Sequence, residues 1–273
     1  MAPERLQLPN GEWTRVTDTG GRGDAVVLVH GLGNSLEIWG RVMPRLAASY
    51  RVVAFDLPGF GAASRPDAGY DGPFFAAQIV ALLDALSLER ATLVGNSLGA
   101  GAILHLGRLA PTRIARAVLA APGGIGRKTH LLMRAVALPL VGGWLARPTP
   151  ANNRTTLRLA LNDRRNLTPE LLEVFDRFAA APGSARAFVR SLRSGVTLTG
   201  SRDCAKVRAL AAAFPAPALV VWGRQDRIFP PCYAQEAADL IPDARLTLID
   251  GCGHYPQWEQ PDAFAAAVEG FAR

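Results

Sequence analysis

Three residues far apart in the chain have types and settings suited to nucleophilic chemistry: Ser97, Asp226 and His254. Ser97 lies in Gly95-Asn96-Ser97-Leu98-Gly99, directly after the strand-forming run Thr92-Leu93-Val94. From Leu98 the pattern turns helical, with Leu98, Ala102 and Leu106 four apart on one face. A serine between two glycines, at the bend from strand to helix, is a nucleophile elbow. An alcohol is a poor nucleophile near neutral pH. It needs an imidazole to take its proton and a carboxylate to orient that imidazole. Of four histidines, His30 precedes a glycine loop, His105 lies in the helix after the elbow, and His130 sits in a helical region. Only His254, in Gly251-Cys252-Gly253-His254, occupies a glycine-rich loop at the exit of a late strand. Asp226 closes Gly223-Arg224-Gln225-Asp226 after another strand, and no acid follows the strand ending at Ala120 to rival it. An oxyanion formed on a carbonyl needs two donors. By position these are the backbone N–H groups of Leu98, at the helix start, and Leu32, after His30-Gly31.

These residues need a frame. Ala25–His30, Arg51–Asp56, Ala115–Ala120 and Pro217–Trp222 are short continuous apolar runs, the pattern of strands covered on both faces, and Arg245–Asp250 reads as the last strand. Residues 12–18 alternate loosely, as in an edge strand. Residues 38–48 read as helix, as do 73–88, with Phe75, Ile79, Leu82, Leu83 and Leu86 on one stripe, and the closing segment with Phe264, Val268 and Phe271. Alternating strands and helices predict a mostly parallel sheet with helices on both faces, and reactive groups beyond the carboxyl ends of its strands. His30, Asp56, Ser97 and Pro122 all stand at such exits.

From 123 to 207 the rhythm changes, strand-like runs vanish and helical patterns dominate. Thr168-Pro169-Glu170 reads as an N-cap, a first-turn proline and an acid near the helix N-terminus. Pro182-Gly183 ends that helix and Ser184 caps the next. Residues 1–122 and 208–273 thus form the core, and 123–207 a helical cap inserted after the sixth strand. Phe175, Phe178 and Trp144 either line a pocket or hold the cap together.

The net charge of +7 raises the question of an anionic partner, but the basic residues are scattered arginines with no run of five. Aromatic and basic residues do not interleave as a nucleic-acid site requires. Cys204, Cys232 and Cys252 form no C-x-x-C, so neither a disulfide framework nor a zinc site is expected. The segment 130–146 is too short and interrupted to span a bilayer, and the first residues lack a signal-peptide core. The expectation is a cytoplasmic enzyme acting on a small molecule without metal or cofactor. Oligomeric state is not legible.

His30-Gly31-Leu32-Gly33, Asp56-Leu57-Pro58-Gly59-Phe60-Gly61, the Ser97 elbow, Trp222-Gly223-Arg224-Gln225-Asp226 and Gly253-His254 together resemble the α/β-hydrolase family over roughly residues 25–122 and 208–271. The resemblance implies the α/β-hydrolase fold and a Ser97–His254–Asp226 triad, with Asp56 bracing a loop. The expected reaction is hydrolysis of carboxylic esters with small to medium apolar acyl groups through an acyl-enzyme. Asn96 before the serine, and Tyr255-Pro256-Gln257-Trp258-Glu259 after the histidine, also resemble the meta-cleavage-product hydrolases. That implies the alternative of carbon–carbon bond cleavage beside a ketone. Asn96 and Trp258 are then candidate pocket residues, and a cap arginine, such as Arg177 or Arg190, would bind the dienoate acid. A carboxylate stands in place of Ser97 in the related haloalkane dehalogenases and epoxide hydrolases, which disfavours them. A ligand receptor on an inactive version of the fold is the remaining alternative.

Overall fold

The computed structural model describes residues 2–21, 23–139 and 142–272. In chain order the first half holds β1 (Glu4–Gln7), β2 (Trp13–Asp18), β3 (Ala25–Val29), α1 (Met43–Leu46), β4 (Arg51–Phe55), α2 (Gly72–Ala85), β5 (Ala91–Asn96), α3 (Leu98–Leu109) and β6 (Ile114–Ala120). Then follow α4 (Leu131–Val136), α5 (Gly142–Leu145), α6 (Pro150–Ala160), α7 (Pro169–Ala179), α8 (Ser184–Gly195), β7 (Val196–Thr197), β8 (Gly200–Ser201) and α9 (Cys204–Ala212). The chain closes with β9 (Ala218–Gly223), α10 (Tyr233–Leu240), β10 (Ala244–Ile249), α11 (Pro256–Glu259) and α12 (Pro261–Ala272).

Eight strands form one sheet in the order β1-β2-β4-β3-β5-β6-β9-β10. All neighbours from β4 to β10 are parallel, while β1 and β2 join antiparallel. Alternating side chains feed two cores. Val27, Val29, Val53, Phe55, Leu93 and Leu119 face Phe75, Ile79 and Leu82 of α2 and Ile103 and Leu106 of α3. Val26, Leu28, Val52, Val94, Val118 and Val221 face Trp39, Leu46 and, on α12, Phe264, Val268 and Phe271. Burial on both faces is why these strands are continuous apolar runs.

The edge assignment needs correction. β2 has a neighbour on each side, residues 13–16 pairing with β1 and 16–18 with β4, and β1, too short and polar to read as a strand, takes the outer edge. The region of residues 38–48 is one 3-10 turn at Leu36–Trp39 followed by the short α1 rather than one helix. Between β6 and β9 the chain is mainly helical, but β7 and β8 form a small hairpin. The expected boundary at 207/208 falls inside α9. Thr168 does cap α7, its hydroxyl accepting from Leu171 N at 3.3 Å. Ser184 does not cap α8. Gly183, at φ 85°, takes that position, and the Ser184 hydroxyl donates to Phe178 O and accepts from Arg65 Nε.

The elbow depends on close approach of α3 to β3 and β5. A Cβ on Gly99 would collide with the carbonyl oxygens of Val29 and His30, and one on Gly95 with the N–H of Ala100. These are backbone atoms that cannot swing aside. Gly99→Ala is therefore expected to lower stability by about 3 kcal/mol, read as a lower urea midpoint at unchanged slope.

Candidate active site

The strand exits converge as expected. Ser97 adopts φ 56°, ψ −111°, a conformation unfavourable for a residue with a side chain. The surroundings hold it there. Its N–H donates to Ala120 O at 2.8 Å, and its carbonyl accepts from Gly101 N at 3.0 Å and Gly123 N at 3.2 Å. The side chain therefore leaves the end of β5 toward a cavity of about 60 Å³ that His254 also lines.

His254 Nδ1 lies 2.8 Å from Asp226 Oδ2. A carboxylate oxygen accepts, so Nδ1 carries the proton and Nε2 is the nitrogen left for the cavity. Asp226 is fixed in turn, its Oδ1 accepting from Ile228 N at 2.8 Å and Phe229 N at 3.0 Å. The glycines of this loop do not make it loose. His254 N donates to Ala160 O at 2.7 Å, and His254 O accepts from Asn96 Nδ2 at 3.0 Å. Glu259 accepts from Gly253 N through Oε1 at 2.7 Å, and from Asn162 N and Asp163 N through Oε2. Burial nevertheless holds the Glu259 carboxyl above the usual glutamate range. One side chain thus joins the histidine loop to the end of α6.

Leu98 opens α3, so its N–H has no acceptor within the helix. Leu32 borders all three cavities described below, and Leu98 borders the largest. The loop holding Leu32 is braced at both ends. His30 is fully buried, with Nε2 accepting from Leu57 N at 2.9 Å and Nδ1 donating to Gly31 O at 2.8 Å. Asp56 accepts from Leu36 N, Ala62 N and Arg15 Nε at 2.8, 2.9 and 2.8 Å. Arg15 also pairs with Glu37. Burial raises the Glu37 carboxyl, but hydrogen bonds from Arg15 and Ser35 outweigh it and hold the group below its usual range.

The two pocket expectations are corrected. Asn96 is fully buried and lines none of the three cavities. Its amide donates to His254 O and Ala120 O, tying elbow to histidine loop. Trp258 is also turned away, with Nε1 donating to Asn166 O at 2.9 Å and the Arg41 guanidinium 3.9 Å above its ring. Neither proposed cap arginine lines these cavities. Arg177 lies over Phe178 beside Glu37, and Arg190 pairs with Asp67. Cys252 is a buried filler whose thiol is pushed well up, mainly by burial.

What the sequence did not disclose is the lining itself. Asn34, Thr129 and Tyr255 border the Ser97–His254 cavity. Asn34 Nδ2 donates to Tyr255 Oη at 3.3 Å, while Asn34 Oδ1 and Thr129 Oγ1 are buried without a partner among the described residues. Burial pushes the Tyr255 phenol up to about 12. No motif marks Asn34 or Thr129; only their loops' paths place them here. Leu32, Met133 and Phe188 connect this space to an apolar cavity of about 130 Å³, walled by Phe60, Val136, Phe175 and Phe178. On the other side, Ser97 and Phe229 connect it to a cavity of about 420 Å³ bordered by His105, Arg202 and Lys206. Among the described residues, no cluster of three or more His, Cys, Asp and Glu is placed to hold a metal ion.

An elbow serine, a histidine bonded to a buried aspartate and a sheet of this order define the class. The family model for the alpha/beta hydrolase fold matches residues 24–261, and the chain belongs to that family. It is 34% identical over 259 residues to the 2-hydroxymuconate semialdehyde hydrolase of Pseudomonas sp. strain CF600, covering 92% of this chain and 87% of that one. It is 32% identical to the 2-hydroxy-6-oxo-6-phenylhexa-2,4-dienoate hydrolase of Comamonas testosteroni, over 93% and 89% of the two chains. Among solved structures, the meta-cleavage product hydrolase of Pseudomonas fluorescens IP01 superposes with TM-score 0.82 at 28% identity, covering 98% of this chain and 97% of that one. The protein is a hydrolase of the α/β fold.

The buried His30 gives a pH test. Burial, the dominant cause, depresses its pKa, so the folded state keeps the ring neutral. Its unfolded form takes a proton first as pH falls below about 6.5. The stability it contributes is present above that pH and lost as pH falls toward the folded value. Urea midpoints should therefore decline from pH 7 to 5. His105 and His130 share the sign, so the diagnostic is a shallower decline in His30→Gln, from a lower starting midpoint.

Proposed function

We propose that the protein hydrolyses the carbon–carbon bond beside the ketone of a ring-fission dienoate, with Ser97 as nucleophile. The observation that carries this is the two-sided space at Ser97. One arm is lined by Phe60, Phe175, Phe178 and Phe188, and the other has His105, Arg193, Arg202 and Lys206 on its border, with Asp71 and Asp203 among them. A dienoate of this kind has the same two ends, an acyl group on the ketone and a carboxylate. The similarity to hydrolases named for such compounds supports the same reading. Residues 123–207 act as the cap over this space. The three free cysteines suit a reducing, cytoplasmic setting.

In this mechanism His254 Nε2 takes the Ser97 proton as Oγ attacks the ketone carbon. The N–H groups of Leu32 and Leu98 hold the resulting oxyanion. Collapse breaks the carbon–carbon bond, and its electron pair passes into the conjugated acid. His254 returns the proton to the released fragment. Water then attacks the acyl ester, giving one proton to His254, and the acid leaves as Ser97 recovers its proton. Asp226 keeps the imidazole in the required tautomer throughout.

Ester cleavage by the same steps, with an alcohol as the leaving group, is the second reading. A specific observation favours it. Arg177 and Arg190 lie away from the cavities, and the Arg193 guanidinium is committed to the carbonyls of Ala137, Leu138 and Pro139. No arginine among the residues lining the Ser97–His254 cavity awaits a carboxylate. Giving the protein a ring-fission dienoate and a nitrophenyl ester side by side separates the readings. Carbon–carbon hydrolysis predicts a kcat/KM at least about tenfold higher for the dienoate; the reverse ratio supports the esterase. Ser97→Ala should lower turnover of the preferred substrate by roughly a thousandfold or more. A receptor would bind ligand and turn over neither compound.

A further inference from the structure

The positive charge of this chain is concentrated in one segment. Residues 123–207 contain fourteen Lys and Arg against five Asp and Glu, nine positive charges net, whereas the remaining residues are net negative by two. Among the described residues only Arg165, Arg177 and Arg190 of those fourteen pair with a carboxylate. Arg127, Lys128, Arg147 and Arg154 are exposed without such a partner.

The same segment exposes large apolar side chains. Leu131 on α4, Trp144 on α5 and Leu198 at the β7–β8 turn are 69%, 62% and 57% exposed. Their elements adjoin. Met133 and Val136 of α4 and Val196 of β7 are buried in one small cluster, with Leu145 of α5 packed against it. Arg134 Nε donates to Leu198 O, and Ser201 N of the hairpin donates to Arg127 O. Asn152 Nδ2 bonds the carbonyls of Leu145 and Arg147, which joins the start of α6, and hence Arg154, to α5. The apolar cavity is bordered by Leu145, Ala146, Arg147 and Pro148, directly after Trp144.

We propose that this face of the helical segment docks the protein peripherally on an anionic lipid surface. Apolar tips flanked by unpaired cations match the two layers of such a surface. The tips enter the acyl boundary and the cations meet the headgroup charge. A tryptophan ring is suited to the headgroup level. No helix among the described residues is long and apolar enough to cross a membrane, so the contact is superficial. Docked this way, the apolar cavity bordered by Leu145 to Pro148 lies beside that surface. The binding itself does not rest on the proposed reaction.

Co-sedimentation of the full chain with vesicles tests it. Vesicles of equal parts phosphatidylglycerol and phosphatidylcholine should bind the protein, and vesicles of phosphatidylcholine alone at least about tenfold more weakly. Raising salt should weaken binding steeply. Arg127→Glu with Lys128→Glu should reduce it more than about tenfold. Trp144→Ala should reduce it severalfold at an unchanged salt slope. Thermal midpoints near the parent value show that these exposed variants are folded. Absence of binding to either vesicle, equal binding to both, or indifference to all three substitutions would overturn the proposal, whatever bond the enzyme cleaves.

Discussion

His254 is held from three directions, and the site depends on that. Asp226 fixes its ring, Asn96 takes hold of its carbonyl from the strand before the serine, and Ala160 accepts its N–H from the helical segment. The Asp226 loop, the end of β5 and the end of α6 therefore meet at one residue. A glycine-rich loop is normally mobile. Here Glu259 takes the Gly253 N–H and two N–H groups after α6, closing the backbone bonds that such a loop would leave to water. The imidazole is thus oriented before any substrate arrives, which is the condition for efficient proton transfer.

The same economy appears at the other wall. Arg15 joins Asp56 and Glu37, and Asp56 holds the loops that start at His30 and Leu57. A fully buried carboxylate is costly alone; paired with Arg15 and with two backbone donors it sets the path of the loop carrying Leu32. His30 adds a neutral, tautomer-specific link between those loops. The strained backbone of Ser97 is held on the other side of the site by its bonds to Ala120, Gly101 and Gly123.

The sequence disclosed most of the frame because its signals are local. Buried parallel strands must be apolar throughout, and the elbow needs glycines where helix meets strand. Hence Ser97, Asp226 and His254 could be placed at strand exits, and Asp56 recognised as a brace. Residues whose role depends on side-chain direction were not legible. Asn96 and Trp258 stand beside the serine and histidine in sequence, yet both turn inward to hold backbone. Thr129 and Asn34 reach the cavity through loop paths that no periodicity encodes. β1 escaped notice because its outer position leaves it exposed and polar. Ser184 lost the cap of α8 to Gly183, whose left-handed φ the tight α7–α8 turn requires. The scattered look of the arginines hid their concentration in one segment, visible only once that segment is set against the rest.

The central claim is that His254, oriented by Asp226, activates Ser97. Reaction with a fluorophosphonate probe followed by peptide mapping tests it most directly. The account predicts one phosphonyl group per chain, on Ser97, and a labelling rate in Asp226→Asn lower by roughly three to four orders of magnitude. Labelling at another residue, no labelling, or a rate indifferent to Asp226→Asn would contradict it.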